Sequence, residues 1–580
     1  MRLPYRKILA RFSAIQGWSY LKRLIYSRDI FNNRAFLAKH WILLTYFLFL
    51  LYLILIVWTF LDYGITFDED WRSTYGEHII QWYASGFQNK SALTYWTLPL
   101  EGGFFNVVAR LATRISPFGI FETNHLINAV FGLLGVVGAY KLGKFLAGPF
   151  AGFLSALFLI ATPRFYGSAF NNPSDVPLAT LSIFSLYYLI SSIDYLPHIP
   201  RGLLFKLGIS LGLALAVRPG AIIIMGYAGL AFFFWFLSHH LLRRESRQPN
   251  ATLRATFLRL GGSLLAVCLI AYLVMLIWWP AAQVRPIIQP IKALGFASKF
   301  IHSFDVFFEG SIISNKDLPW YYVSKWFLIT LPEFYFIGLT VGIALGAISI
   351  VQSRNKLSFL RNEWNLKILV LLVSIGLPIG YTVFRNPVEY DGIRHYLFII
   401  PPLTVLIAIA VAKLVEGVGM SFTSVVLMIA IFTSVTMTVV DMVKLHPHQY
   451  IYFNRIFGGG VAEAAKFFET DSWGNSYKEG VEWIVHNYKG YGDGRKIKVG
   501  SCLYSLSTSY FLPKDRFEYV GSFDKGQMIS DQPDLFLATT RWNCHKNLNG
   551  RILHIVERKG APLLYIIEVS NGLPPVKEKK

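Results

Sequence analysis

The feature that most constrains this chain is a recurrence of apolar runs long enough to cross a bilayer. About eleven can be traced, near residues 40–61, 124–146, 149–163, 176–193, 203–217, 219–241, 256–279, 326–351, 366–384, 396–414 and 422–441. A segment in hydrocarbon has no water to satisfy its backbone, so each run is expected to be a helix with internal hydrogen bonds. The third and fifth are short for a crossing. With 54% of the 580 residues hydrophobic and 15% charged, a soluble enzyme on a single anchor is excluded.

The net charge of +21 would suggest nucleic acid in a soluble protein, but in a multi-pass chain the first question is sidedness. Nine Lys and Arg residues precede the first run, against a single Asp29, which places the N-terminus in the cytoplasm. Counting alternately from there, the basic loops at 141–148, 242–259 and 352–367 also fall inside. The basic excess is thus explained without nucleic acid, and none is expected as a partner. Three cysteines exclude a disulfide-rich scaffold or a cysteine-based zinc site.

These readings divide the chain into a basic cytoplasmic segment, 1–39, a transmembrane region, 40–441, and a C-terminal part, 442–580. The long loops 62–123, 164–175 and 280–325 face outward. The C-terminal part changes character, with a helix pattern at Ser476 to Tyr488, a strand at Lys496 to Tyr504 and a hairpin signal at Arg558, Lys559 and Gly560. The fold class is therefore a polytopic α-helical membrane protein of about eleven spans with an extracytoplasmic α/β domain. That domain holds Cys502 and Cys544, for which an oxidising exterior would permit a disulfide; the sequence leaves the pairing open.

Candidate chemistry lies in the outward loops. Asp68, Glu69 and Asp70 follow the first span directly, either as helix-capping carboxylates or as a general base at the membrane surface. Asn171, Asn172 and Asp175 end the second outward loop, where Asp175 can cap the next span or join Asp68 across one cavity. The planar guanidinium suits phosphate oxygens, so Arg218, Arg285 and Arg394, with His395, are candidates for a lipid phosphate. Tyr321 and Tyr322 read as an aromatic belt at the interface or as acceptor contacts. The Gly138, Gly143 and Lys144 spacing is no nucleotide loop, because Phe145 stands where Ser or Thr would be needed.

Taken in order along one membrane side, these residues resemble the GT-C type of polytopic membrane glycosyltransferase, near the protein O-mannosyltransferases and the lipid A aminoarabinose transferases. The resemblance is carried by Phe67-Asp68-Glu69, Asn171-Asn172-Pro173-Ser174-Asp175, Leu318-Pro319-Trp320-Tyr321-Tyr322, Tyr390 to Tyr396 and Glu469 to Gly474. It implies a polyprenyl-phosphate-linked sugar donor, a lipid, glycan or protein acceptor, and inversion at the anomeric carbon. It also implies Asp68 as base, with Glu69 beside it and Asp175 as the second acidic residue. A bacterial cytoplasmic membrane is the expected location. Cofactor use stays open: none is required by the scheme, and a divalent cation, magnesium or manganese, is compatible with it. A multi-pass transporter or flippase, or a non-catalytic scaffold, is the rival class. Transporters place ionisable residues near the midplane, whereas here they gather in the outward loops.

Overall fold

The computed structural model describes residues 34–241, 250–298, 303–352, 362–419, 421–489, 494–503, 505–523, 532–546 and 550–569. Among these, nine helices are long and apolar enough to cross a membrane: 37–59, 120–160, 175–195, 219–239, 253–277, 333–351, 363–385, 394–418 and 422–445. Two features account for the difference from eleven. The helix Ile120–Ile160 holds two of the expected runs, and it reverses at Ala147 and Gly148, where φ of Gly148 is +82° and Pro149 follows. Tyr140 and Lys144 then pack on Gly152, where an added Cβ would stand 2.9 Å from both side chains. The run near 203–217 is the helix Arg201–Leu215, whose 15 residues fall short of a full crossing. It lies close against the helix 253–277, because an added Cβ on Gly208 or Gly212 would come within 2.6 Å of Ile270 or the Ala271 carbonyl.

Burial sorts the spans. The helices 175–195 and 394–418 are 78% and 72% buried, so they form the centre of the bundle, while 37–59 and 333–351 are each 17% buried and turn Leu43, Phe47, Trp58 and Ile343 outward. Such an apolar rim around a packed centre is what lipid solvent allows. The tops of the central helices, Asp175 and Arg394, thus sit on the rigid axis of the bundle.

Between the first and second spans lie the helices Phe67–Ala84 and Phe104–Ala112. They are fastened to the bundle by backbone bonds: Phe104 N donates to Ala216 O at 3.1 Å, and Gly103 N to Trp278 O at 2.9 Å. A hairpin, β1 (Asp305–Phe308) and β2 (Ser311–Ser314), rises from the loop after the helix 253–277.

Beyond Leu445 the chain forms a five-stranded mixed sheet. Its strands are β3 (Ile497–Cys502), β4 (Phe517–Phe523), β5 (Leu535–Thr539), β6 (Gly550–Arg558) and β7 (Ala561–Val569), in the order β4-β3-β5-β7-β6. β3 pairs in parallel with β4 and β5, and the antiparallel β6–β7 hairpin turns at Lys559 and Gly560, both with positive φ. The helix Tyr477–Asn487 covers one face through Val481 and Ile484. Cys502 and Cys544 are joined in a disulfide between the end of β3 and the turn after β5. This domain is docked on the bundle: Ser507 Oγ donates to Ile65 O at 2.7 Å, and Gly64 N to Asn475 Oδ1 at 2.7 Å.

Candidate active site

Where the domain meets the bundle, a cavity of about 880 Å³ opens. Its polar end is lined by Asp68, Arg72, Glu101, Arg218, Glu389, Asp391, Arg394, His395 and Arg541, and it continues between membrane helices past Leu178, Leu186, Ile224, Tyr227, Pro378 and Phe398. One cavity therefore joins a charged chamber to an apolar channel.

The start of the helix Phe67–Ala84 fixes the acidic trio. Thr66 is the N-cap, and Glu69 reaches back to it, accepting from Thr66 N at 2.8 Å and Thr66 Oγ1 at 2.9 Å. The buried His125 Nε2 lies 2.9 Å from the other Glu69 oxygen. Glu69 is thus consumed by a capping box and points away from the cavity. That leaves Asp68, one residue earlier, on the cavity face. Its Oδ2 lies 3.1 Å from Arg394 Nη1. Burial would raise the Asp68 carboxyl, but Arg394, Arg72 and Arg218 outweigh it and hold it below the usual range, so it stays ionised.

Arg394 is the hub. Its Nε donates to His395 Nε2 at 3.1 Å and lies 3.3 Å from Asp391 Oδ2, and its guanidinium stands over the rings of Trp473, 4.6 Å from the centroid, and Tyr390. Asp391 is held in turn. Its Oδ1 accepts from Arg541 Nη2 at 2.9 Å, and its Oδ2 from Trp473 Nε1 at 3.0 Å. Burial pushes the Asp391 carboxyl up, but Arg541 and Arg394 prevail and lower it. The backbone here is unusual: Asp391 has φ +54° and Gly392 +67°, and the Gly392 N–H donates to Tyr322 Oη at 3.0 Å. A Cβ on Gly392 would meet the Trp326 ring at 3.2 Å, so both its conformation and its neighbour require glycine.

Two further pairs close the chamber. Arg218 Nη2 lies 3.0 Å from Asp175 Oδ1 and donates to Ser174 Oγ at 2.6 Å, and Asn172 Nδ2 donates to Asp175 Oδ2 at 2.9 Å. Arg72 Nη1 pairs with Glu101 Oε2 at 3.0 Å. Glu389 stands apart from the guanidinium pairs. Tyr396 Oη donates to it, His395 Nδ1 lies 3.9 Å away, and burial raises it to about 7.

Of the residues singled out from sequence, Asp68, Arg218, Arg394 and His395 line this cavity. Asp175 lies behind Arg218 and orients it. Asn171 donates to Asn475 and Asn172 to Asp175, so both build the wall. Tyr321 donates to Glu309 at 3.0 Å and Tyr322 braces Gly392, neither facing the cavity. Arg285 is exposed and away from the chamber. Arg72, Glu101, Asp391, Trp473 and Arg541 were not singled out as site residues; Asp391 and Trp473 fall inside motifs quoted for the resemblance, while Arg72, Glu101 and Arg541 carry no local pattern. The chamber's ion-paired carboxylates are taken up by guanidinium groups. Among the described residues no three His, Cys, Asp or Glu side chains converge as metal ligands.

Residues 104–278 match the family described as dolichyl-phosphate-mannose-protein mannosyltransferase, a match covering under a third of the chain. No curated protein sequence matches. Similar solved structures include ArnT from Cupriavidus metallidurans bound to undecaprenyl phosphate, with 14% identity, 93% of this chain and 100% of that chain covered, and a TM-score of 0.48. They also include the archaeal oligosaccharyltransferase AglB from Archaeoglobus fulgidus in complex with an inhibitory peptide and a dolichol-phosphate, with 13% identity, 81% and 64% covered, and a TM-score of 0.43.

Proposed function

We propose that this chain is a membrane glycosyltransferase that moves a sugar from a polyprenyl-phosphate-linked donor to an acceptor at the outer face of the membrane. The observation that carries this reading is the continuity of the cavity. An apolar channel between membrane helices suits a polyprenyl chain, and the arginine-lined chamber at its end suits the phosphate that chain would carry. The match of residues 104–278 to a mannosyltransferase family that takes sugar from a lipid phosphate supports it.

The chemistry follows from the placement of charges. The acceptor's hydroxyl or amine attacks the anomeric carbon from the face opposite the phosphate; the new bond forms as the sugar–phosphate bond breaks, with inversion. Asp68 takes the acceptor proton through Oδ1, since Oδ2 lies against Arg394. The departing phosphate gains negative charge that Arg394 and Arg218 face from the same chamber. Ion pairs to Asp68, Asp391 and Asp175 hold both guanidinium groups in place before substrate arrives, so their orientation is not purchased during the reaction. His395, fixed by Arg394, borders the same space.

Transfer of labelled sugar from polyprenyl-phosphate donors to membrane extracts by the purified protein tests this. Asp68→Asn should abolish transfer in a protein that still folds, its unfolding temperature lowered by the loss of the buried pair with Arg394. A chelator arm decides whether a divalent cation takes part. Full activity of Asp68→Asn refutes the assignment of the base, and no donor consumption across the panel refutes the function.

A further inference from the structure

A second cavity, of about 200 Å³, lies on the far side of Arg541 and Trp542, which line both. Its walls come from the β1–β2 hairpin, the segment 465–472 and the turn 540–546. These three pieces are fastened around it. Trp542 Nε1 donates to Asp305 O at 2.7 Å, Gly310 N to Phe467 O at 2.9 Å, and Phe308 bridges Phe468. The turn is held in a costly shape: Trp542 and Asn543 are consecutive side-chain-bearing residues with φ of +53°, in the left-handed region that disfavours them. The disulfide at the next residue, Cys544, clamps it. The result stands the Trp542 ring between the two cavities and turns Asn543 into the smaller one.

The lining narrows the ligand. Uncharged polar groups come from Thr470, Ser472, Thr540, Asn543 and His545, carboxyls from Glu469 and Asp471, and aromatic surface from Phe307, Phe468 and Tyr565. A bare anion would meet the buried carboxyl groups of Glu469 and Asp471, while a bare cation would meet Lys466, Lys546 and Arg541. A neutral polyhydroxylated ring avoids both conflicts. Hydroxyl groups donate and accept, matching a carboxyl, an amide and a hydroxyl, and the C–H face of a sugar packs on aromatic walls. The volume is below the roughly 300–1,000 Å³ of drug-sized pockets, which limits the occupant to one ring.

We infer that this cavity binds one pyranose unit of a neutral acceptor glycan, beside the transfer site and separated from it by Trp542. The inference rests on the glycosyl-transfer reading and assigns it an acceptor class. No bond is made or broken here: the cavity positions a sugar one or more units from the nucleophile, and through Arg541 it touches the Asp391–Arg394–Asp68 chain of charges.

The test uses the whole chain in lipid nanodiscs, with saturation-transfer NMR and calorimetry against neutral methyl hexosides, N-acetylhexosaminides and pentosides. Undecaprenyl phosphate binding is measured on the same preparation. At least one glycoside should bind, and Asn543→Gly and Glu469→Gln should each weaken it tenfold or more while leaving undecaprenyl phosphate affinity unchanged. Asn543→Gly removes the amide and suits a φ of +53°, so it keeps the turn folded. Binding that survives both substitutions overturns the inference, as does a panel without a binder. If undecaprenyl phosphate binds and no glycoside does, this inference alone falls; if neither binds, the glycosyl-transfer reading falls with it.

Discussion

Replacing Asp391 with Asn tests the view that the chamber is built from interlocked buried charges. Asp391 is 5% exposed at its side chain and faces Arg541, 7% exposed, and Arg394, 12% exposed. Asn fits the same volume and tolerates the left-handed backbone, so the substitution isolates charge. One amide oxygen keeps one of the bonds from Arg541 or Trp473, and the amide N–H₂ then points at a donor. Removing one partner of a buried pair costs about 3–5 kcal/mol. The lower figure applies, because Arg394 keeps Asp68 and Arg541 still donates to the Ser472 carbonyl. The assay is equilibrium unfolding in nanodiscs followed by tryptophan fluorescence, run from pH 7 down to pH 3. Because the folded carboxyl is held below its ordinary value, its contribution is complete only above about pH 5, a unit over the unfolded value, and is lost as pH falls through the folded value. The wild-type advantage over Asp391→Asn should therefore be flat from pH 7 to 5 and shrink below that. A loss under about 0.5 kcal/mol at pH 7, the range of an ordinary surface change, refutes the reasoning. So does an advantage that grows on acidification.

Glu389→Gln should behave in the opposite sense. A buried carboxyl raised to about 7 makes the folded state lose stability as pH rises from about 4.3 through 7, so the variant should unfold at a higher temperature than wild type at pH 8, with the gain much smaller at pH 5 and gone below about pH 4. Gly392→Ala should cost about 1–2 kcal/mol from its left-handed backbone, and crowding on Trp326 should reduce transfer by displacing Arg394; unchanged stability and rate would contradict the geometry. Cys544→Ser opens a loop with a sequence separation of 42 and should destabilise the C-terminal domain by about 4 kcal/mol, read as a fall in its unfolding midpoint that dithiothreitol reproduces in wild type.

The membrane helices and the loops that join them were legible because hydropathy and turn chemistry act locally. Asp68, Arg218 and Arg394 could be put on one side by counting crossings, and the structure brings those three to one chamber. Glu69 was nearly legible too. Thr66 followed three residues later by Glu69 is the spacing of a capping box, and that local bond removes Glu69 from the chemistry. Arg285 shows the limit of sidedness, which places a residue on a surface but not at a point on it. Arg541 shows a different limit. It reaches Asp391 from a turn 150 residues later, and no periodicity or spacing connects β5 of the C-terminal domain to the start of the helix 394–418.

The short helix Arg201–Leu215 carries a consequence for the lipid itself. Fifteen residues rise about 22 Å, some 8 Å less than a hydrocarbon core of about 30 Å. Arg218, just past its end, is therefore reached below the level at which headgroups ordinarily sit, or the bilayer dips to meet it. On the proposed function, a donor arriving by lateral diffusion would sink its phosphate to that guanidinium while its tail stayed among neighbouring tails, so capture would need no extraction of the lipid from the membrane.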